Sequence, residues 1–229
     1  MAWQRSDGAA TRRRLLEAAG RLFASKGYHD THTADICSEA GANSAAVNYY
    51  FGGKEDLYVE SWRHAFKQSL ERCPAGGGVA ASAPPEERLR ARLRALIERI
   101  VDPSNIEFDI AHRESVNPTG LLAEAMERSV GPLRERMHAL VRELLGADAS
   151  PTVVRLCEMS VVAQCFGLLH ERRRRDTLRG RQLPSPSLCE MNVDDLVDHI
   201  LAFSLAGIRG VKGRGGRAVR RVRRRARSR

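Results

Sequence analysis

The chain has 229 residues, 42% hydrophobic and 5% aromatic, with a formal net charge of +10. That apolar fraction excludes a wholly disordered polymer, the length suits one or two domains, and the scarcity of aromatics points to an Ala/Leu/Arg-rich helical protein rather than a β-sandwich. The charge is local, because residues 209–229 hold eleven of the 38 Lys/Arg and no acid, leaving 27 basic against 28 acidic residues elsewhere.

The first residues run into Arg12, Arg13 and Arg14 with no apolar core behind them, so no secretory leader is expected. The longest uncharged apolar stretch, around Met159 to Leu169, is too short to span a bilayer. The expectation is a soluble, cytoplasmic protein with no membrane partner. Five scattered cysteines, Cys37, Cys73, Cys157, Cys165 and Cys189, form no CxxC pair and are expected to be reduced thiols, mostly buried.

From Thr11 to Lys26, the residues Leu15, Ala18, Ala19, Leu22 and Phe23 recur at three- and four-residue spacings, which predicts an amphipathic helix that Gly27 stops. A short helix over Thr33–Ala40 follows, with Thr33 as N-cap, Asp35 in the first turn where the dipole favours an anion, and Gly41 at the C-cap. Asn43 can cap a third helix from Ser44 to about Tyr50. Gly52 and Gly53 then break the chain before a fourth helix, Lys54 to about Arg72, carrying Leu57, Trp62, Phe66 and Leu70.

Two short helices around a glycine turn, packed on a longer one, make a helix-turn-helix, whose second helix presents its N-terminal side chains to base edges in the major groove. Val47 and Phe51 lie four apart and would anchor the inner face, leaving Ser44, Ala45, Asn48 and Tyr49 outward. Asn can pair with adenine, alanine can meet a thymine methyl, and tyrosine hydroxyls can reach phosphates or bases. Lys54, opening the fourth helix, can hold a phosphate together with free backbone N–H groups. Spacing alone also allows these tyrosines to be ordinary core or surface residues, and residues 1–60 hold seven basic and eight acidic side chains, so the region is not a broad basic patch.

The run LLEAAGRLFASKGYHDTHTADICSEAGANSAAVNYYFGGKEDLY, Leu15 to Tyr58, resembles the DNA-binding domain of TetR-family transcriptional regulators. Asn48-Tyr49 ahead of Phe51-Gly52-Gly53-Lys54-Glu55 is similar to a subgroup with a CecR-type C-terminal domain. The resemblance implies phosphate or base contacts at Thr33, Ser44, Ala45, Ala46, Asn48, Tyr49, Tyr50 and Lys54. Gly53 stands where a serine or asparagine is usual, which puts in doubt a side-chain cap on the fourth helix but not the fold.

After Cys73 the chain turns to PAGGGVAASAPP, read as a flexible connection. Leu89, Leu93, Leu96, Ile97 and Ile100 predict a helix over Glu86–Val101, followed by helices over Ile106–Val116 and Leu121–Leu145, the latter bent or divided by Pro132. The string from His112 to Gly146 resembles the CecR-type domain more loosely. Val153–Leu169 is apolar on most sides. The stripe Val193, Leu196, Val197, Ile200, Phe203, Ser204 and Gly207 contains small residues that permit close helix contact. Two such helices from each of two chains would make a four-helix bundle, the homodimer the resemblance implies; alternatively both close the monomer's core. The Gly/Arg tail from Arg209 has no apolar periodicity, is expected to be disordered, and is either a source of nonspecific phosphate attraction or a solubilising appendage.

No GxSxG, P-loop, GxGxxG after a strand, or HExxH is present, so no enzyme is expected, nor any cofactor or metal. The sequence-level expectation is an all-α protein with a helix-turn-helix domain at 1–60, a ligand-binding and dimerisation domain at 61–208, and a basic tail at 209–229. It would be a dimeric repressor on a palindromic double-stranded operator, released by a small-molecule effector. Candidate lining residues for that effector are Phe108, Arg113, Glu114, Met126, Met137, Gln164 and Phe166. A nonspecific basic DNA-coating protein and an all-α hydrolase are the alternatives.

Overall fold

The computed structural model describes the backbone of residues 2–178 and 186–226, and the side chains of residues 8–178 and 186–213. Its regular elements are helices α1 (Ala2–Lys26), α2 (Thr33–Ala40), α3 (Ala46–Phe51), α4 (Lys54–Arg72), α5 (Pro85–Val101), α6 (Glu107–Val116), α7 (Ala123–Leu145), α8 (Pro151–Thr177) and α9 (Val193–Ala226), with a 3-10 turn at Leu188–Glu190. No strand occurs among the described residues, so the fold is all-α as the periodicity predicts.

The chain separates into two compact units, one of residues 1–72 and 103–131, the other of 73–102 and 132–229. These divisions do not follow the boundary expected at residue 60. All of α4 belongs with α1–α3, and α6 and the start of α7 return to the same unit after α5 has left it.

In the first unit α1 supplies the wall against which α2, α4 and α6 pack. Leu15, Ala18, Ala19 and Phe23 are fully buried, and Gly27 (φ 85) ends the helix in the left-handed region. Phe23 meets Tyr58 edge-on at 4.8 Å, and Tyr28 lies 5.1 Å from Tyr58, so α1 and α4 share an aromatic centre. Trp62 and Phe66 stack at 5.2 Å further along α4. Burying each such side chain contributes about 1.5–3 kcal/mol.

In the second unit α5 is the central helix, packed on α8 and α9 through Leu89, Leu93, Ile97 and Ile100, all fully buried. Arg90 and Arg94 pair with Asp198 and Asp194, lacing α5 to α9 at the rim. α8 is long and apolar enough, by length and composition alone, to cross a bilayer. The expectation that no stretch could do so considered only the uncharged run and missed a helix that tolerates Arg155 and Glu158. Val154, Cys157, Val161, Cys165, Leu168 and Leu169 are buried in this unit. Burial pushes the Cys165 thiol up to about 12.

α7 is one helix through Pro132, and the boundary between the two units falls there, between Gly131 and Pro132. Two further expectations differ from the structure. The segment after Cys73 is a series of turns held against α5: Gly77 adopts φ +62, donates its N–H to the Pro74 carbonyl at 2.8 Å, and lies where a Cβ would come within 2.7 Å of Ala91. Only glycine fits such a left-handed turn at that approach. The tail expected to be disordered from Arg209 is traced as part of α9 through Ala226. Its start is tied down, Arg209 to Glu86 at 2.8 Å and Lys212 Nζ to the Leu144 carbonyl at 3.2 Å; residues 227–229 lie outside the described residues.

Candidate nucleic-acid interface

The two short helices are built from local signals. His32 rather than Thr33 occupies the N-cap position of α2, and no side chain caps it; Thr33 begins the first turn, half-buried. At the other end Gly41 (φ 60, ψ 42) turns the chain back, its N–H reaching Ser38 O and that of Ala42 reaching Cys37 O. Asn43 does not cap α3, whose N-cap position is Ala45 with no side-chain cap; its Oδ1 instead accepts from Ala45 N at 2.9 Å within the preceding turn. Ser44 and Ala45 are spent in that turn, so α3 starts two residues later than the sequence predicts.

α3 has an inward and an outward side. Val47 (1% exposed) and Phe51 (8%) anchor it. Ser44, Ala45 and Asn48 are exposed, Tyr49 is 81% exposed, and half-buried Tyr50 meets it edge-on at 4.8 Å. Ala46 differs from its exposed neighbours, because its methyl is buried with Val47. Lys54 sits 4.2 Å over the Tyr28 ring, and burial lowers its pKa against the opposing pull of Asp30. Its ammonium is thereby held beside the α3–α4 turn.

Ion pairs fasten the helix pair to α1 and neutralise most nearby cations. Arg21 bonds Glu39 at 2.7 Å, Lys26 lies 3.6 Å from Asp35, and Arg12 reaches Glu60 at 3.4 Å while its guanidinium covers Phe51. Each exposed pair contributes up to about 1 kcal/mol.

The residues expected around an effector are not brought together within either unit. Phe108, Arg113, Glu114 and Met126 belong to the first, Met137, Gln164 and Phe166 to the second. Arg113 is exposed and donates to the carbonyls of Ala24 and Ser25, closing the C-terminal end of α1. The Glu114 carboxylate accepts from Tyr58 OH, Thr119 N and Oγ1, and Gly120 N. Burial, and then Glu114, raise the Tyr58 pKa. Both residues therefore have hydrogen-bond partners within the first unit. Met137 is buried, Gln164 bonds Ser204 at 3.0 Å, Phe108 and Met126 are half-buried, and Phe166 is exposed.

None of these seven lines a cleft of about 170 Å³ between α1, α4 and residues 104–106, which sequence reasoning missed. Leu16, Ser61, His64, Gln68 and Asn105 are among its walls, and the buried His64 Nε2 has no hydrogen-bond partner. It is smaller than the 300–1,000 Å³ or so of organic-ligand pockets. No group of His, Cys, Asp or Glu that could hold a metal occurs among the described residues.

An α-helical unit that seats a six-residue helix by its apolar side and exposes Asn48 and Tyr49 defines a helix-turn-helix DNA-binding protein. Residues 15–60 match bacterial regulatory proteins of the tetR family, and residues 85–208 match the C-terminal domain of the HTH-type transcriptional dual regulator CecR. The chain is 32% identical to the CecR dual regulator of Shigella flexneri over 157 residues, covering 63% of this chain and 69% of that protein. The chain belongs to the TetR family of transcriptional regulators, with a CecR-type C-terminal domain.

Solved structures share the fold. FadR from Bacillus subtilis in complex with stearoyl-CoA superposes with a TM-score of 0.64 at 15% identity, covering 85% of this chain and 98% of that one. AibR in complex with isovaleryl coenzyme A and operator DNA gives 0.60 at 18%, covering 84% and 97%.

Proposed function

We propose that this regulator acts in the cytoplasm as a homodimeric repressor, reading a palindromic operator with Ser44, Ala45, Asn48 and Tyr49 and leaving it when a small organic effector binds. Thr33, Tyr50 and Lys54 would hold phosphates at the edges of that contact. The observation that carries the reading is the outward side of α3: a tyrosine left 81% exposed beside an exposed asparagine, on a helix otherwise anchored by Val47 and Phe51. The homodimer is supported by a second exposed surface. Leu156, Met159, Ala163, Phe166 and Gly167 recur at helical spacing along α8, and Phe203, Ala206 and Gly210 along α9, all exposed. A matching pair of helices from a second chain would cover them as a four-helix bundle.

An effector is supported by the two regulators of this fold solved with acyl-CoA molecules, and it must favour one reader spacing energetically to switch anything. The sign of regulation has a second reading: the CecR relative is a dual regulator, so activation at some promoters is compatible with the same scaffold. The test is footprinting on DNA upstream of the protein's own gene. A protected palindrome is expected, lost in Asn48→Ala and Tyr49→Ala while thermal unfolding stays nearly unchanged. Variants that unfold, or that keep full selectivity, would refute the contact assignment.

A further inference from the structure

The cleft between α1, α4 and residues 104–106 lies inside the DNA-reading unit, and the operator contacts leave it unused. Its third wall is fixed in place. Asn105, 2% exposed, donates from Nδ2 to Ser69 Oγ at 2.9 Å, and Ser69 donates to Glu107 at 3.2 Å, so the loop is fastened to α4. Gly20 lets the same loop approach α1, since a Cβ there would lie 2.9 Å from Ile106 Cδ1.

The lining is graded from depth to mouth. Leu16 and Ala65 are buried, with half-buried Ile106 beside them, so the deep part is apolar. His64 and Gln68 follow, both half-buried, and the buried His64 Nε2 has no hydrogen-bond partner. A buried polar atom left without a partner is costly, and an occupant that supplies one gains that energy. Arg21 and Arg72 are exposed at the mouth. Arg21 spends its Nε on Glu39 at 2.7 Å, which leaves its terminal nitrogens for a second acceptor. The one acid in the lining, Glu17, already lies 3.7 Å from Arg13.

We propose that this cleft binds a small carboxylate, its charged end between Arg21 and Arg72 and its short apolar body against Leu16, Ala65 and Ile106. Neutral His64, as its Nε2–H tautomer, donates to one carboxylate oxygen. At about 170 Å³ the cleft holds only a short-chain acid. The site is therefore separate from the organic effector of the repressor reading and from the operator contacts of α3, and it stands or falls without them. Its consequence is mechanical: α2 packs on α1 and α3 on α4, so a molecule bridging α1 and α4 ties the two halves of the reader together.

The probe is sodium butyrate, added to the full chain against sodium chloride at equal ionic strength, with butyramide as the neutral isostere. The His64 ring signal, assigned by its loss in His64→Gln, is followed by NMR. Glu17 and Glu71 draw a proton to this ring, Arg12 and Lys67 oppose it, and a bound carboxylate adds a further anion. Butyrate should saturate with a Kd of about 1–10 mM, fitting for so few atoms. It should raise the His64 pKa by about one unit, so that binding tightens up to about tenfold as pH falls. Ala65→Leu fills the deep part and should abolish the effect; should that variant unfold, Arg21→Gln with Arg72→Gln, both exposed, should weaken butyrate at least about fivefold. Failure to saturate would overturn the proposal and leave the cleft to water. Equal binding of butyramide would overturn the carboxylate assignment, and a response that survives these folded variants would place the butyrate elsewhere and overturn it as well.

Discussion

Removing the Glu114 carboxylate tests whether the residue is architectural, as its bonds indicate, or lines an effector site, as its place in the sequence suggests. In the folded unit it accepts from Tyr58 OH at 3.1 Å, Thr119 N at 3.0 Å and Gly120 N at 2.8 Å. Thr119 is half-buried and Gly120 exposed, so water can replace the carboxylate there. Tyr58 is fully buried, and its hydroxyl would lose the partner that reaches it from α6. Stranding a buried hydroxyl costs about 1–3 kcal/mol and each hydrogen bond to a charged group contributes about 1.5–3, so Glu114→Ala is expected to lose about 3 kcal/mol after rehydration of the exposed donors.

Glu114→Gln keeps one oxygen for Tyr58 and should lose about half as much. Urea unfolding followed by far-UV circular dichroism measures both, and a cycle with Tyr58→Phe should show a coupling of about 1–2 kcal/mol. Two variants within about 0.5 kcal/mol of the parent, the range of ordinary surface changes, would refute the reasoning. The effector assignment would regain its ground if Glu114→Ala left stability intact but abolished release from DNA.

Burial holds the His64 imidazole below its usual range, with Glu17 pulling the other way, so the unfolded chain binds this proton more readily than the folded one. Its contribution is complete above about pH 6.5 and is lost as pH falls from there through the lower folded value; His64→Gln should flatten stability across that window, measured as denaturation midpoints from pH 5 to 7.5. Gly77→Ala should cost about 2–4 kcal/mol, combining left-handed strain with overlap on Ala91. Gly78→Ala, at φ +73 with nothing within 4 Å, carries the strain alone and should cost about 1–2, so equal losses in denaturant titrations would remove the overlap argument. Phe203→Glu places a charge on a side chain 64% exposed in the single chain, and sedimentation velocity should show self-association weakened at least about tenfold with monomer stability nearly intact; unchanged association would move the dimer face elsewhere.

The sequence by itself determined which segments before the basic tail are helical, and in the reader also which side points inward. Those properties follow from spacing and from glycines that end helices at Gly27, Gly41 and Gly52, all in the left-handed region. It also revealed the exposed Asn48 and Tyr49, because Val47 and Phe51, four apart, leave a six-residue helix little choice of rotation. Single residues beside those anchors were harder: Ala46, one position from Val47, is carried inward with it.

Partners distant along the chain belonged to the tertiary structure. Arg113 and Glu114 resemble binding-site residues in sequence, but their partners, Ala24, Ser25 and Tyr58, come from α1 and α4, 56 to 89 positions away. The cleft beside His64 joins α1 and α4 to a loop more than thirty residues further on. Helical periodicity reports how each segment divides its own surface between inside and outside; which foreign atoms meet that surface is decided only when the helices pack.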